Sequence, residues 1–177
     1  MGSPAYKRPR WRTTTANCLR KAFSVRQLIR ALVMPWDNRL NTGKGRDFQR
    51  IAAKALERHF HVPFALEHKI SIGDPAKEHK FDSVSEDRRY VGESKNYSWT
   101  ETGNMPSAKM GFVNEAVFYL SFLPDSIKTF VIMRKDVRPS SGETLAEYYY
   151  RTYRHLLGRV TVLELDVHSG KVRQIGL

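Results

Sequence analysis

The run KFDSVSEDRRYVGESKNYSW, residues 80–99, sets two strand-like stretches around a turn signal, and it constrains the chain more than any other segment. Successive side chains of a strand point to opposite faces, so residues two apart share one. Over a strand from about 89 to 96, Arg89, Val91, Glu93 and Lys95 fall on one face, and Tyr90, Gly92, Ser94 and Asn96 on the other. Asp82 belongs to the strand before it. The intervening SVSEDRR carries a Glu-Asp turn signal, so the pair reads as a hairpin that brings Asp82 opposite Glu93.

Two carboxylates and a lysine would then converge. Mg²⁺ is a hard octahedral ion that keeps several waters and takes one or two protein carboxylates plus phosphate oxygens. Asp82 and Glu93 supply that pair. A metal so held polarises a phosphoryl oxygen, lowers the pKa of a water and stabilises a leaving oxygen. Lys95 beside it has two candidate roles, to orient the attacking water or to neutralise charge on phosphorus. An outward Glu-x-Lys is also an ordinary solvated strand face in a chain 27% charged, so the surrounding elements decide its weight.

Those elements come in a definite order. GRDFQRIAAKALERHF, residues 45–60, reads as a helix with Phe48, Ile51, Ala52, Ala55, Leu56 and Phe60 on one stripe. FALEHKISI then alternates, with Phe64, Leu66, His68, Ile70 and Ile72 on the apolar face of a half-buried strand. After the strands of Asp82 and Glu93, Asn104 and Pro106 open a helix that Pro124 stops. SIKTFVIMRK, 126–135, is β-rich, GETLAEYYYRTYRHLLG is a third helix ending at Gly158, and RVTVLELDV is a last strand.

With FD at Phe81–Asp82 in place of PD, and ESK at Glu93–Lys95, the chain resembles the PD-(D/E)XK nuclease superfamily, also called restriction-endonuclease-like. The resemblance covers roughly residues 43–135. It implies an α/β fold with an αβββαβ core, a central mixed sheet flanked by helices, here with an extra C-terminal αβ unit. It also implies a Mg²⁺-dependent endodeoxyribonuclease, with Mn²⁺ able to substitute, leaving 5′-phosphate and 3′-hydroxyl ends. The main-chain carbonyl of Ser94 would join Asp82 and Glu93 at the metal. An acidic residue of the first helix often completes such a site; the matching position here is Gln49. On a helical projection Gln49 lies at the edge of the apolar stripe and Glu57 points almost the opposite way. Gln49 is therefore read as a hydrogen-bonder to water or to the metal shell, beside the plainer reading of a boundary glutamine.

Charge divides the chain. Residues 1–46 hold eleven Lys and Arg against the single Asp37, a net +10 of the formal +12. A basic arm over 1–43 is thus expected ahead of a nuclease domain over 44–177. Such a polycation draws in the phosphate backbone of DNA without sequence preference; a solubilising tail or an acidic protein partner is the plainer alternative. Within the arm, Ser24 as N-cap and Val25, Leu28, Ile29 and Leu32 on one face suggest a short helix near 24–33. Lys44 and Arg46, then Asn96, Tyr97, Trp99 and Thr100 beyond the Glu93 strand, and Lys109 at a helix start are expected DNA contacts.

The remaining signals narrow the class. Cys18 stands alone, which excludes an intramolecular disulfide. There is no apolar run of signal-peptide or membrane-spanning length, so a cytoplasmic protein is expected. His59 and His68 fall on apolar faces and read as core or interface histidines, metal binding being the other option. Tyr148, Tyr149, Tyr150 and Tyr153 among Arg151 and Arg154 read as a helix with one buried side, base stacking being the other option. GETL is a cap signal and no GxxxxGK[ST] phosphate loop occurs. Two other functional readings stay open: a junction-resolving or other structure-specific nuclease acting as a homodimer, and a non-catalytic DNA-binding module on the same frame.

Overall fold

In the computed structural model, residues 38–176 are described. The helix expected near 24–33, and with it the arm as far as Asp37, lies outside the described residues. Three helices and six strands follow: α1 Asn38–Phe60, β1 Phe64–Ile72, β2 Lys77–Ser85, β3 Tyr90–Lys95, α2 Ser107–Ser121, β4 Lys128–Arg134, α3 Leu145–Tyr153, β5 Thr161–Asp166 and β6 Lys171–Gln174. A single 3₁₀ turn, Arg154–Leu156, extends α3. Helix α1 begins ahead of the expected start at 45, and β6 was not anticipated.

The strands form one mixed sheet in chain order, β1 to β6. β1–β2 and β2–β3 are antiparallel, β3–β4 and β4–β5 parallel, and β5–β6 antiparallel again. Parallel neighbours need a crossover, and α2 and α3 supply the two that β3–β4–β5 require. Both crossover helices bury residues in one apolar cluster, Met110, Val113, Val117 and Leu120 from α2 with Leu145 and Tyr149 from α3. Phe48, Ala52, Ala55 and Leu56 of α1 fill a second cluster with Phe130, Ile132, Leu163 and Leu165. Strand β4 feeds both, Phe130 and Ile132 to one face and Val131 and Met133 to the other. That is why its sequence is an unbroken apolar run.

Helix α3 starts on a capping box in which Thr144 Oγ1 accepts from Glu147 N and Glu147 Oε2 accepts from Thr144 N. Tyr149 is buried on it, with Tyr148, Tyr150 and Tyr153 packed at the edge of the core. Pro124, Leu123 and Ile127 carbonyls all accept from Arg159, which fastens the α2–β4 turn to the loop before β5.

The expected single apolar face of β1 is corrected. Phe64 lies in the α1-side core, whereas Ile70 and Ile72 pack against the other cluster, although all three are even-numbered. Between them Glu67 has φ 54°, a left-handed backbone for a non-glycine residue. The β1–β2 register keeps its offset across it, Leu66 facing Ser83 and His68 facing Phe81, while Glu67 and Asp82 between them drop out of the ladder. β2 turns over with it, since Phe81 and Val84, of opposite parity, share one cluster. Asp82 sits at this change of face. A core place for His59 is also corrected: it is exposed, in edge contact with Phe60, because the stripe of α1 is narrower than its sequence suggests. Ile51, at 43% exposure, falls off the same stripe.

Candidate active site

Strands β2 and β3 pair only at Ser83–Gly92 and Val84–Val91. Continuing that register by one residue sets Asp82 across from Glu93, where the ladder has already ended. A fork opens there, and the residues singled out from the sequence stand around it. Gln49 Nε2 of α1 donates to Asp82 Oδ1 at 2.7 Å. Ser94 N donates to Asp82 Oδ2 at 2.9 Å. Both oxygens of the carboxylate are thus oriented, one from a helix and one from a strand. In an extended strand the N–H and C=O of one residue point the same way. The Ser94 carbonyl therefore also faces the fork.

Glu93 and Lys95 share the face of β3 turned toward α2, as the two-residue spacing requires. Lys95 Nζ donates to Glu93 Oε2 at 3.1 Å, and both side chains are largely buried, 15% and 9% exposed. The other carboxylate oxygen, Glu93 Oε1, is buried without a hydrogen-bond partner, as is Ser94 Oγ. Burial, and after it the Asp82 charge, push the Glu93 carboxyl up to about 7 against the pull of Lys95. For Lys95 burial works against the ammonium, yet the charge and hydrogen bond of Glu93 outweigh it and its pKa is raised. An unpartnered buried carboxylate oxygen is costly and invites a cation or a donor.

The residues present fit a hard divalent ion. Asp82, Glu93 and the Ser94 carbonyl would hold it, with Gln49 steadying Asp82. Among the described residues no three His, Cys, Asp or Glu side chains gather into one ligand cluster. Waters and phosphate oxygens would complete the shell, as is common for Mg²⁺.

Gly92, next to Glu93, has a steric cause. A Cβ there would lie 2.2 Å from the ring of Phe130. The aromatic ring of β4 lies flat on β3 at this point, which lets β3 run close beneath α1.

The expected DNA contacts divide. Lys44, Arg46 and Lys109 are exposed, and Asn96 Nδ2 donates to the Lys44 carbonyl at 3.0 Å, so the start of α1 stands beside the end of β3. Tyr97 is half-buried, with Lys109 Nζ 5.4 Å from its ring centre. Trp99 is corrected: it is 8% exposed and belongs to the core. Its main-chain N–H donates to Asp136 Oδ2 at 2.8 Å and its indole N–H to the Asp136 carbonyl at 3.1 Å, and with the Arg138 guanidinium 4.8 Å over its ring it is not open to a base. Thr100 is exposed and caps its own loop through Asn104.

Other side chains reach the same place unannounced. His79 stacks on Tyr119 at 4.0 Å and 23°, and with Phe112 and Glu115 they line a groove together with Glu93 and Lys95. Burial, then the charge of Lys95, hold the imidazole pKa of His79 below its usual value. The signal was available: Phe112, Glu115 and Tyr119 recur at helical spacing on the helix that follows the motif, and His79 precedes Asp82 by three.

No protein-family model matches this chain. No curated protein matches its sequence. Among solved structures it is similar to the crystal structure of an XisH family protein from Nostoc punctiforme, at 14% identity and a TM-score of 0.44, over 73% of this chain and 98% of that one. No helix among the described residues is long and apolar enough to cross a membrane.

Proposed function

We propose that the chain is a Mg²⁺-dependent endonuclease acting on DNA, with Asp82, Glu93 and Lys95 as its site on a restriction-endonuclease-like core. The observation that carries this reading is the fork itself: two carboxylates meet where a ladder ends, one oriented from both oxygens and the other with a buried, unpartnered oxygen. Bound there, Mg²⁺ supplies Lewis-acid polarisation of a phosphoryl oxygen and neutralises charge as it develops. Mn²⁺ serves the same donors.

The protein's own groups do the rest. Gln49 and Ser94 N fix the Asp82 carboxylate so that neither oxygen rotates away. Glu93 keeps Lys95 charged in a buried setting. The ammonium then orients the attacking water or offsets charge on phosphorus, at no cost of reorganisation during the reaction. Exposed Lys44, Arg46 and Lys109 meet the phosphate backbone, and the products carry 5′-phosphate and 3′-hydroxyl ends.

Gln49 favours one other reading, a DNA-binding module without catalysis, because its amide already occupies Asp82 Oδ1 where an acid would stand. The test is cleavage of supercoiled plasmid, linear duplex, single-stranded and branched DNA by purified protein with Mg²⁺. Cutting of at least one substrate, lost in Lys95→Ala protein that still binds it, supports the nuclease. Tight binding with every substrate intact supports the module and overturns catalysis.

A further inference from the structure

The groove beside Lys95 has more structure than a phosphodiester needs. It encloses about 250 Å³ between the open end of β2–β3 and α2. Tyr97 continues the β3 face of Glu93 and Lys95 beyond the strand. Across from it on α2 stands Phe112, 49% exposed. The stacked pair His79–Tyr119 also lines it. Lys109 lies at the rim, its ammonium 5.4 Å from the Tyr97 ring and 5.9 Å from that of Phe112. Aromatic faces interleaved with cations are what single-stranded nucleic acid selects: each base offers a π-face to stack and each linkage a charge to neutralise. A paired duplex lying over the fork would present phosphates to Lys95 and Lys109 but leave the rings unused. The space suits one base taken out of a stack and is too small for a base pair.

We propose that this groove takes a single unstacked nucleobase next to the scissile phosphate, so that the DNA acted on is unpaired or distorted at that position. That a scissile phosphate lies beside the base rests on the nuclease reading; the base site itself does not. Tyr97 and Phe112 provide the stacking faces, Lys109 grips the adjoining phosphate, and Glu115, exposed on the same lining, supplies an acceptor for the base edge.

The test is binding in EDTA, by fluorescence anisotropy, of full-length Asp82→Ala protein to two labelled oligonucleotides of equal length. One is a perfect duplex and the other carries a single-nucleotide bulge. One base stacked on these rings predicts a preference for the bulge of about 5- to 150-fold. Adding Tyr97→Ala or Phe112→Ala removes that preference, and Tyr97→Phe, which keeps the ring, restores it. Phe112 is too exposed for its loss to unfold the chain, so the result does not depend on Tyr97 alone. Equal affinity for both DNAs, or a preference that survives both alanine substitutions, overturns the proposal. With wild-type protein and Mg²⁺ the two readings separate. If neither DNA, nor any of the four substrates named above, is cut while the ring-dependent preference stands, the nuclease falls and the base site remains. If duplex and bulge are cut at the same rate, with no effect of the ring substitutions, the base site falls and the nuclease remains.

Discussion

Replacing Glu93 by Gln should stabilise the metal-free protein at neutral pH, the opposite of what loss of a buried ion pair ordinarily does. The folded carboxyl titrates at about 7, against 4.5 when free of the fold. A carboxyl whose folded pKa is raised favours the fold fully below its unfolded pKa, and that contribution is lost as pH rises through the folded value. The window here is therefore pH 4.5 to about 7, and the shift is worth about 3 kcal/mol across it. Gln cannot ionise, so the variant lacks this slope. Lys95 faces a neutral partner both in the variant and in wild type at low pH, so its own desolvation cancels in the comparison. Thermal unfolding in EDTA between pH 4.5 and 8 should show the two proteins drawing apart, Glu93→Gln gaining roughly 6–12 °C on wild type by pH 8. Saturating Mg²⁺ should return the advantage to wild type, since an ion that binds only the folded state stabilises it. Melting curves that stay parallel across the whole range would refute the claim that burial governs this carboxyl.

Three further outcomes follow from the same geometry. Gln49→Glu places an acid against Asp82 Oδ1, so it should lower stability in EDTA by about 1–3 kcal/mol and tighten Mn²⁺ binding, both read by calorimetry. Gly92→Ala pushes a methyl into the Phe130 ring and should cost about 1–3 kcal/mol, seen as a lower urea midpoint. Trp99→Ala should cost about 3–5 kcal/mol of stability by chemical denaturation, as expected of a buried indole tied to Asp136. A folded Trp99→Ala protein of wild-type stability would return Trp99 to the surface.

Much of this was written in local patterns. The hairpin around SVSEDRR, the placing of Glu93 with Lys95, and the position of Gln49 at the edge of the α1 stripe follow from residues two apart on a strand or from one helical stripe; the bond from Gln49 to Asp82, 33 residues on, does not. What escaped the sequence depends on partners far along the chain. The apolar alternation of FALEHKISI continues through Glu67, and only its left-handed backbone, together with Phe81 and Val84 of β2 sharing one cluster, reveals that the strands change face beside Asp82. Trp99 looks like an exposed aromatic after the motif until Asp136, 37 residues on, takes both its N–H groups. Gly92 reads as a weak strand residue until Phe130 lies on it. His79 and Tyr119 come from different elements, and no spacing rule joins them. Gln49 makes an oriented contact with Asp82, and its part in catalysis is a proposal for the assays above.

The central claim is that Asp82 and Glu93 form one divalent-cation site in each chain. Isothermal titration of Mn²⁺ into wild-type and Asp82→Ala proteins, each alone and with a short DNA duplex, tests it most directly. The account predicts one ion per wild-type chain, held more tightly with DNA present, and no matching uptake by the variant. Equal uptake by both proteins, or none by wild type under either condition, would contradict it.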